Sequence, residues 1–271
     1  MTAATTTRVE TAPYARATGV TRYRKVLWLL TSRDLKVRYS TSKLGYLWSI
    51  LDPLLMSAIY FFVFTVVFHR HVGETPYIIF LLTGLLPWQW FNGAVSDSTK
   101  AFISDAKLVR STKIPRTIWV NRIVLSKGIE FLFSLPVLAI FALFTHAGVG
   151  WHTLLFPVAI VLQGVFITGV SLIIAPLVVF FRDLERATKL ILRFLFYASP
   201  IIYGTKNLPE RYHLLASFNP LTGIFGMYRS AFFSDQFSLR DSVIAAVVSF
   251  VLLAVGILVF RASERAVLKE I

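Results

Sequence analysis

From Thr153 to Phe181 the chain carries no Asp, Glu, Lys or Arg. A helix rises 1.5 Å per residue, so about 20 apolar residues cross a hydrocarbon layer roughly 30 Å thick, and this stretch is long enough to do so. Composition agrees: 56% of the 271 residues are hydrophobic and 15% are charged, against about 25% charged in soluble domains. A soluble enzyme is excluded. The absence of Cys removes disulfides, thiol catalysis and Cys-based metal sites, and the five His show neither a His-x-x-x-His nor a His-Glu-x-x-His spacing.

Five further stretches read as spans of an all-α integral membrane protein. They are Leu47–Phe68, Pro76–Val95, Ile123–Phe144, Leu184–Tyr203, which carries Arg186, Lys189 and Arg193 in its first half, and Val243–Phe260. With residues 1–45 in the cytoplasm, six crossings put 23 of the 28 Lys and Arg on that side. Cytoplasmic loops collect basic residues, so both termini are expected inside. The same bias accounts for the basic excess without nucleic-acid binding.

Residues 1–18 are Thr- and Ala-rich with no apolar core, and read as a disordered cytoplasmic tail rather than a signal peptide. Residues 19–38 place Arg22, Lys25, Arg33 and Lys36 on one helical face and Tyr23, Leu27, Leu30 and Val37 on another. This is the pattern of an interfacial helix on the inner leaflet, or of a solvated helix packed on a partner. Residues 39–271 form one membrane domain.

The regular pattern breaks in three places. Gly84 and Pro87 predict a kinked or broken second span beside Trp88, Trp90 and Phe91, which form either an interfacial belt or a stacking platform. Lys100–Arg122 is a basic elbow between the second and third spans, serving as a membrane anchor or as a docking surface. Residues 207–233 predict two short re-entrant helices turning at Asn219-Pro220; the competing reading is a seventh span over Leu214–Phe233, which would carry Arg261, Arg265 and Lys269 outside.

The chain has no motor of its own. A phosphate-cradling Gly-x-x-x-x-Gly-Lys-Ser/Thr loop is missing, and Asp52, Asp97 and Glu130 sit toward span ends rather than at mid-bilayer. No acid-base pair or triad converges by spacing.

Several segments resemble a known family. RDLKVRYSTSKLGYLWSILDPLLMSAIYFFVF, GLLPWQWF, LVRSTKIPRTIWVNR, FFRDLERAT and YASPIIY…LP…FNPLTGIFGMYRS follow in order. They are similar to the membrane subunit of polysaccharide-exporting ABC transporters, the Wzm-like permeases that export O-antigen, teichoic acid or related glycans. The resemblance implies a homodimer in the bacterial plasma membrane, surrounded by lipid and paired with two copies of a separate ATPase subunit. No cofactor is implied for this chain; ATP and Mg²⁺ belong to the partner. The cargo is a polyprenyl-diphosphate-linked polysaccharide. Rival readings are a drug- or lipid-efflux permease of the same fold and a membrane-embedded glycosyltransferase or phosphatase.

By the same resemblance, Asp105, Lys107, Arg110, Lys113, Pro115 and Arg116 dock the ATPase. Arg38, Tyr39, Lys43, Leu44 and Gly45 admit the diphosphate head group, or act only as inner-leaflet anchors. Tyr60, Trp88, Trp90, Phe194, Tyr197 and Tyr203 line a glycan channel, or only pack. Pro209, Tyr212, Asn219, Pro220 and Arg229 shape an outer gate. Replacing Gly45 with Leu is expected to impair substrate access, read as reduced glycan export at unchanged expression; normal export by the variant removes this loop from the mechanism.

Overall fold

A computed structural model describes residues 19–40, 45–67, 74–148 and 150–270, and among them every regular element is helical. The order is α1 (Gly19–Ser40), α2 (Trp48–Phe61, continued by a π-wound turn to Val67), α3 (Tyr77–Ser98), α4 (Ala106–Ser111), α5 (Thr117–Phe144), α6 (Leu155–Phe180), α7 (Leu184–Ala198), α8 (Glu210–Phe218), α9 (Pro220–Arg229) and α10 (Leu239–Glu270). Among the described residues, four helices are long and apolar enough to cross a membrane: α3, α5, α6 with the turn from Trp151 that precedes it, and α10. The helical residues 50–64 are apolar but shorter.

Local chemistry sets the ends. α5 begins at Thr117, earlier than the hydropathy of Ile123–Phe144 suggests, because Pro115 disfavours helix before it. α7 stops at Ala198 rather than running to Tyr203, since Pro200 pushes Ser199 to an extended conformation (ψ 148°). α10 continues ten residues past Phe260, through strong helix formers such as Ala, Glu, Arg and Lys. α3 is not interrupted near Pro87. It runs unbroken through that proline, whose carbonyl accepts a 2.7 Å hydrogen bond from Gln163 Nε2 on α6.

α3 is the centre of the bundle. Ile79, Phe80, Leu81 and Leu82 are completely buried, and the helix packs on α2, α5, α6, α7 and α9. A second cluster forms at the other end of the fold, where Leu30 of α1, Phe102, Val109 of α4, Trp119 of α5 and Phe260 and Val267 of α10 meet.

Lipid tails are as apolar as leucine, so helix association in a membrane depends on close backbone approach and polar pairs more than on burial. α6 and α10 supply the close approach. A Cβ on Gly169 would lie 2.6 Å from the Leu253 nitrogen, and one on Gly256 would lie 2.5 Å from the Gly169 carbonyl oxygen. Gly169→Ala is therefore expected to force the helices apart and cost about 1–3 kcal/mol, read as a lower midpoint of thermal unfolding in mild detergent. Gly148→Ala, where a Cβ meets nothing within 4 Å, is expected to leave the midpoint unchanged; equal behaviour of the two variants would refute the tight crossing.

Candidate functional site

Tyr23 fixes the first half of α1 to α5: its hydroxyl accepts from Asn121 Nδ2 at 2.8 Å and lies 3.3 Å from Thr117 Oγ1. The second half is held by two charge clusters. In one, the Arg122 guanidinium, 5% exposed, donates to Asp34 at 2.9 Å and to Asp105, while Arg33 reaches Asp34 at 3.3 Å and Asp105 at 3.2 Å. In the other, Arg38 donates to Asp97 and Glu130, each at 2.8 Å, and Lys127 lies 3.1 Å from Glu130 and 3.6 Å from Asp97. Each cluster sets two cations against two carboxylates, so the charge of the enclosed Arg122 and the half-buried groups around it is balanced locally. Together they tie α1 to the end of α3, the elbow and α5.

Two clefts open beside these clusters. One of about 620 Å³ is bordered by Arg33, Asp34, Lys100, Asp105 and Arg122. Another of about 490 Å³ is bordered by Arg38, Trp48, Asp52, Gln89, Lys127 and Glu130. Arg38, read from sequence as a head-group ligand, therefore has its guanidinium committed to two carboxylates, and Gly45 begins the turn into α2 with φ +47°, a left-handed conformation that favours glycine. Lys43 and Leu44 lie outside the described residues, as does the side chain of Tyr39.

The elbow presents one cationic face. Lys107, Arg110 and Lys113 are exposed together with Leu108 and Pro115, while Val109 is completely buried and anchors α4 to the cluster beneath. The remaining two predicted docking residues point elsewhere. Asp105 is turned inward onto Arg33 and Arg122, and Arg116 caps the elbow by donating to the carbonyls of Thr112 at 3.0 Å and Ile114 at 2.6 Å.

At the far end, α9 grips the turn that follows α7. Asn219 Oδ1 accepts from the Leu221 amide at 3.1 Å, which with Pro220 at the first position starts α9, and Asn219 Nδ2 donates to Ser199 Oγ at 2.8 Å. Arg229 closes the other end of α9. Fully buried, it donates to the carbonyls of Pro200 (2.6 Å), Ile201 (2.6 Å) and Tyr203 (3.4 Å), and its guanidinium lies 3.6 Å from the centre of the Phe80 ring. The loop after α7 is also tied by Lys206, whose ammonium is held above the usual lysine range by its hydrogen bond to Asp235, with Glu74 adding to the effect. Asn219, Pro220 and Arg229 thus converge on one turn. Pro209, before α8, and the exposed Tyr212, under Arg211 at 4.7 Å, lie apart from it.

The six predicted channel aromatics separate into two groups. Tyr60 contacts Phe196 at 5.9 Å between ring centres and Trp88 contacts the same ring at 5.5 Å, while Phe194 and Tyr197 are exposed on α7 and Tyr203 donates its hydroxyl proton to the Tyr197 carbonyl. Tyr60, Trp88, Tyr197 and Tyr203 thus gather by Phe196 in a wall where α2, α3 and α7 meet, while Phe194, two positions and about 200° from Phe196 on the helix, is exposed away from that ring. Trp90 leaves that wall: it is buried, stacks on Phe131 at 5.3 Å and donates to the Val124 carbonyl. Asp34 and Arg122 escaped the sequence reading, although a basic residue just inside an apolar helix requires a counter-charge, and the only carboxylate of α1 beyond its polar start is Asp34.

Comparison with known proteins accords with this geometry. The sequence profile of the ABC-2 type transporter matches residues 25–233. The chain is 35% identical over 239 residues to the O-antigen export system permease protein RfbA of Klebsiella pneumoniae, covering 87% of this chain and 91% of that one. The RfbA permease of Myxococcus xanthus is 31% identical over 86% of this chain and 90% of its own. The polysialic acid transport protein KpsM of Escherichia coli is 24% identical over 87% and 92% respectively. The chain, a bundle of apolar helices matched by this profile over residues 25–233, belongs to the ABC-2 type transporter family of membrane proteins.

Proposed function

We propose that the chain is the permease subunit of an ATP-driven exporter that moves a polyprenyl-diphosphate-linked polysaccharide outward across the bacterial plasma membrane. The observation that carries this reading is the similarity, over nearly the whole of both chains, to O-antigen export permeases. α2, α3, α5, α6, α7 and α10 are the six crossings, with both termini and the elbow in the cytoplasm; the distribution of Lys and Arg supports that orientation. α8 and α9 form the outer gate. Two copies of the chain pair with two copies of a separate ATPase, which binds ATP and Mg²⁺. The wall of α2, α3 and α7, with Tyr197 exposed, faces the glycan path, where aromatic faces stack on sugars.

In this reading the ATPase seats on the cationic face of Lys107, Arg110 and Lys113, and the inward Asp105 carries its movement to α1 and α5 through Arg122. The elbow is backed by a packed cluster, so displacement passes to the spans as a rigid-body shift rather than being absorbed locally.

Purification of the tagged chain in mild detergent, followed by ATPase assays with and without polyprenyl-linked glycan, tests the assignment. A co-purifying ATPase stimulated by the glycan supports it; a chain that purifies alone with its fold intact and shows no nucleotide response rejects it. Lys107→Glu/Arg110→Glu/Lys113→Glu is expected to reduce co-purifying ATPase by about ten-fold or more at unchanged thermal stability, and full retention overturns the docking face. Arg122→Met leaves Asp34 and Asp105 to Arg33 alone and is expected to lower stability by about 1–3 kcal/mol. Adding Asp34→Asn and Asp105→Asn is expected to restore most of that stability but not glycan-stimulated ATP hydrolysis, and restored stimulation removes the cluster from the coupling route.

A further inference from the structure

One surface has no part in docking, gating or the glycan path. Between α5 and α6 runs an apolar groove of about 500 Å³. Its floor is open because two positions lack side chains: a Cβ on Gly128 would meet the Trp90 ring at 3.1 Å, and one on Gly164 would meet it at 3.5 Å. Val161, Leu132 and Leu125 are exposed along the walls. At one end the groove continues, through the shared residues Leu27 and Leu125, into a second cleft of about 500 Å³ bordered by Arg24, Lys25 and the exposed Trp28 of α1.

Both arginine and lysine there are exposed, and neither has an ion-pair partner among the described residues, whereas the cations of the two charge clusters further along α1 are each matched by carboxylates. Among the described residues, no acidic side chain borders either cleft. A cationic head site that opens into an uncharged groove of a membrane helix pair has the amphipathic shape of a lipid, and basic pockets of this kind select anionic head groups. The groove lies across Trp90 from the polar cleft of Arg38 and Glu130, and so is separate from the loop at Gly45.

We infer that this composite groove is a binding site for an anionic phospholipid, with the phosphate on Arg24 and Lys25 and an acyl chain laid along α5 and α6 over Trp90. The inference rests on the placement of α1 at the inner leaflet proposed above, but not on the identity of the cargo. Two unmatched cations suit the single negative charge of a phosphodiester with its local water, while the apolar trough holds one chain apart from bulk lipid. Bound there, the lipid fastens the first half of α1 to the α5–α6 pair, next to the Tyr23–Asn121 contact.

The test reconstitutes the full chain, with any co-purifying ATPase, into phosphatidylcholine vesicles carrying a trace of spin-labelled phosphatidylglycerol or spin-labelled phosphatidylcholine. The motionally restricted fraction is read for each. Phosphatidylglycerol is expected to associate on the order of ten-fold more strongly than phosphatidylcholine at low salt, with the preference weakening as salt is added. Arg24→Gln/Lys25→Gln should bring it to parity. Gly164→Leu should also remove it with both cations in place; Val161→Phe, on the exposed wall, serves if that variant does not fold. Equal restriction of the two lipids, or a preference that survives loss of both cations, means bulk lipid only and overturns the site. A preference that survives filling of the groove reduces it to surface charge, and displacement of phosphatidylglycerol by an equimolar polyprenyl diphosphate assigns the groove to the transported lipid instead. Glycan export does not enter this readout, so its failure and failure of the exporter assignment are separable.

Discussion

The fold depends on balancing charge where water is scarce. Arg122 sits on α5 with its guanidinium almost wholly enclosed, and it is tolerated there because Asp34 comes from α1 and Asp105 from the elbow. Neither carboxylate is local in sequence, so the cluster closes only when three separate segments are assembled. Arg38 repeats the arrangement further along α1 with Asp97 from α3 and Glu130 from α5. α1, which would otherwise be held by its apolar contacts and Tyr23 alone, is thereby fixed in register against the bundle. That fixed register positions the elbow, whose outward face is left purely cationic because its one acid is used inside.

The opposite end solves a different problem with similar means. Ser199–Tyr203 cannot be helical past Pro200, and its carbonyls would be left unpaired in an apolar setting. Arg229 satisfies three of them and Asn219 takes the hydroxyl of Ser199. A cation without a carboxylate is sustained there by carbonyl dipoles and the face of Phe80. The short helices are thus attached to α3 and to the end of α7 by polar contacts that ring an apolar core.

The long apolar helices were legible because their signal is local: absence of charge over many consecutive residues, as in Thr153–Phe181. The Asn219-Pro220 turn was legible for the same reason, being a matter of one capping side chain and one fixed φ. Pairing was not. Lys100–Arg122 read as a basic elbow with one acid, yet Arg116 and Arg122 are used internally, Lys100 pairs with Glu185, and Lys107, Arg110 and Lys113 are offered outward around the buried Val109. Trp88 and Trp90, two positions apart on a helix, face different neighbours because successive helical residues turn by about 100°, and aromatic content alone does not say which side meets a void.

The Gly169–Gly256 crossing divides α10 almost in half. At 1.5 Å per residue, about 21 Å of helix lies between Gly256 and Glu270, where Phe260 meets Phe102 of the elbow at a tilt, and about 26 Å lies between Gly256 and Leu239, where the helix meets α9. Held this closely against α6, α10 puts the contacts with the elbow and those with α9 on one continuous helix, so the two ends of the fold share a single strut.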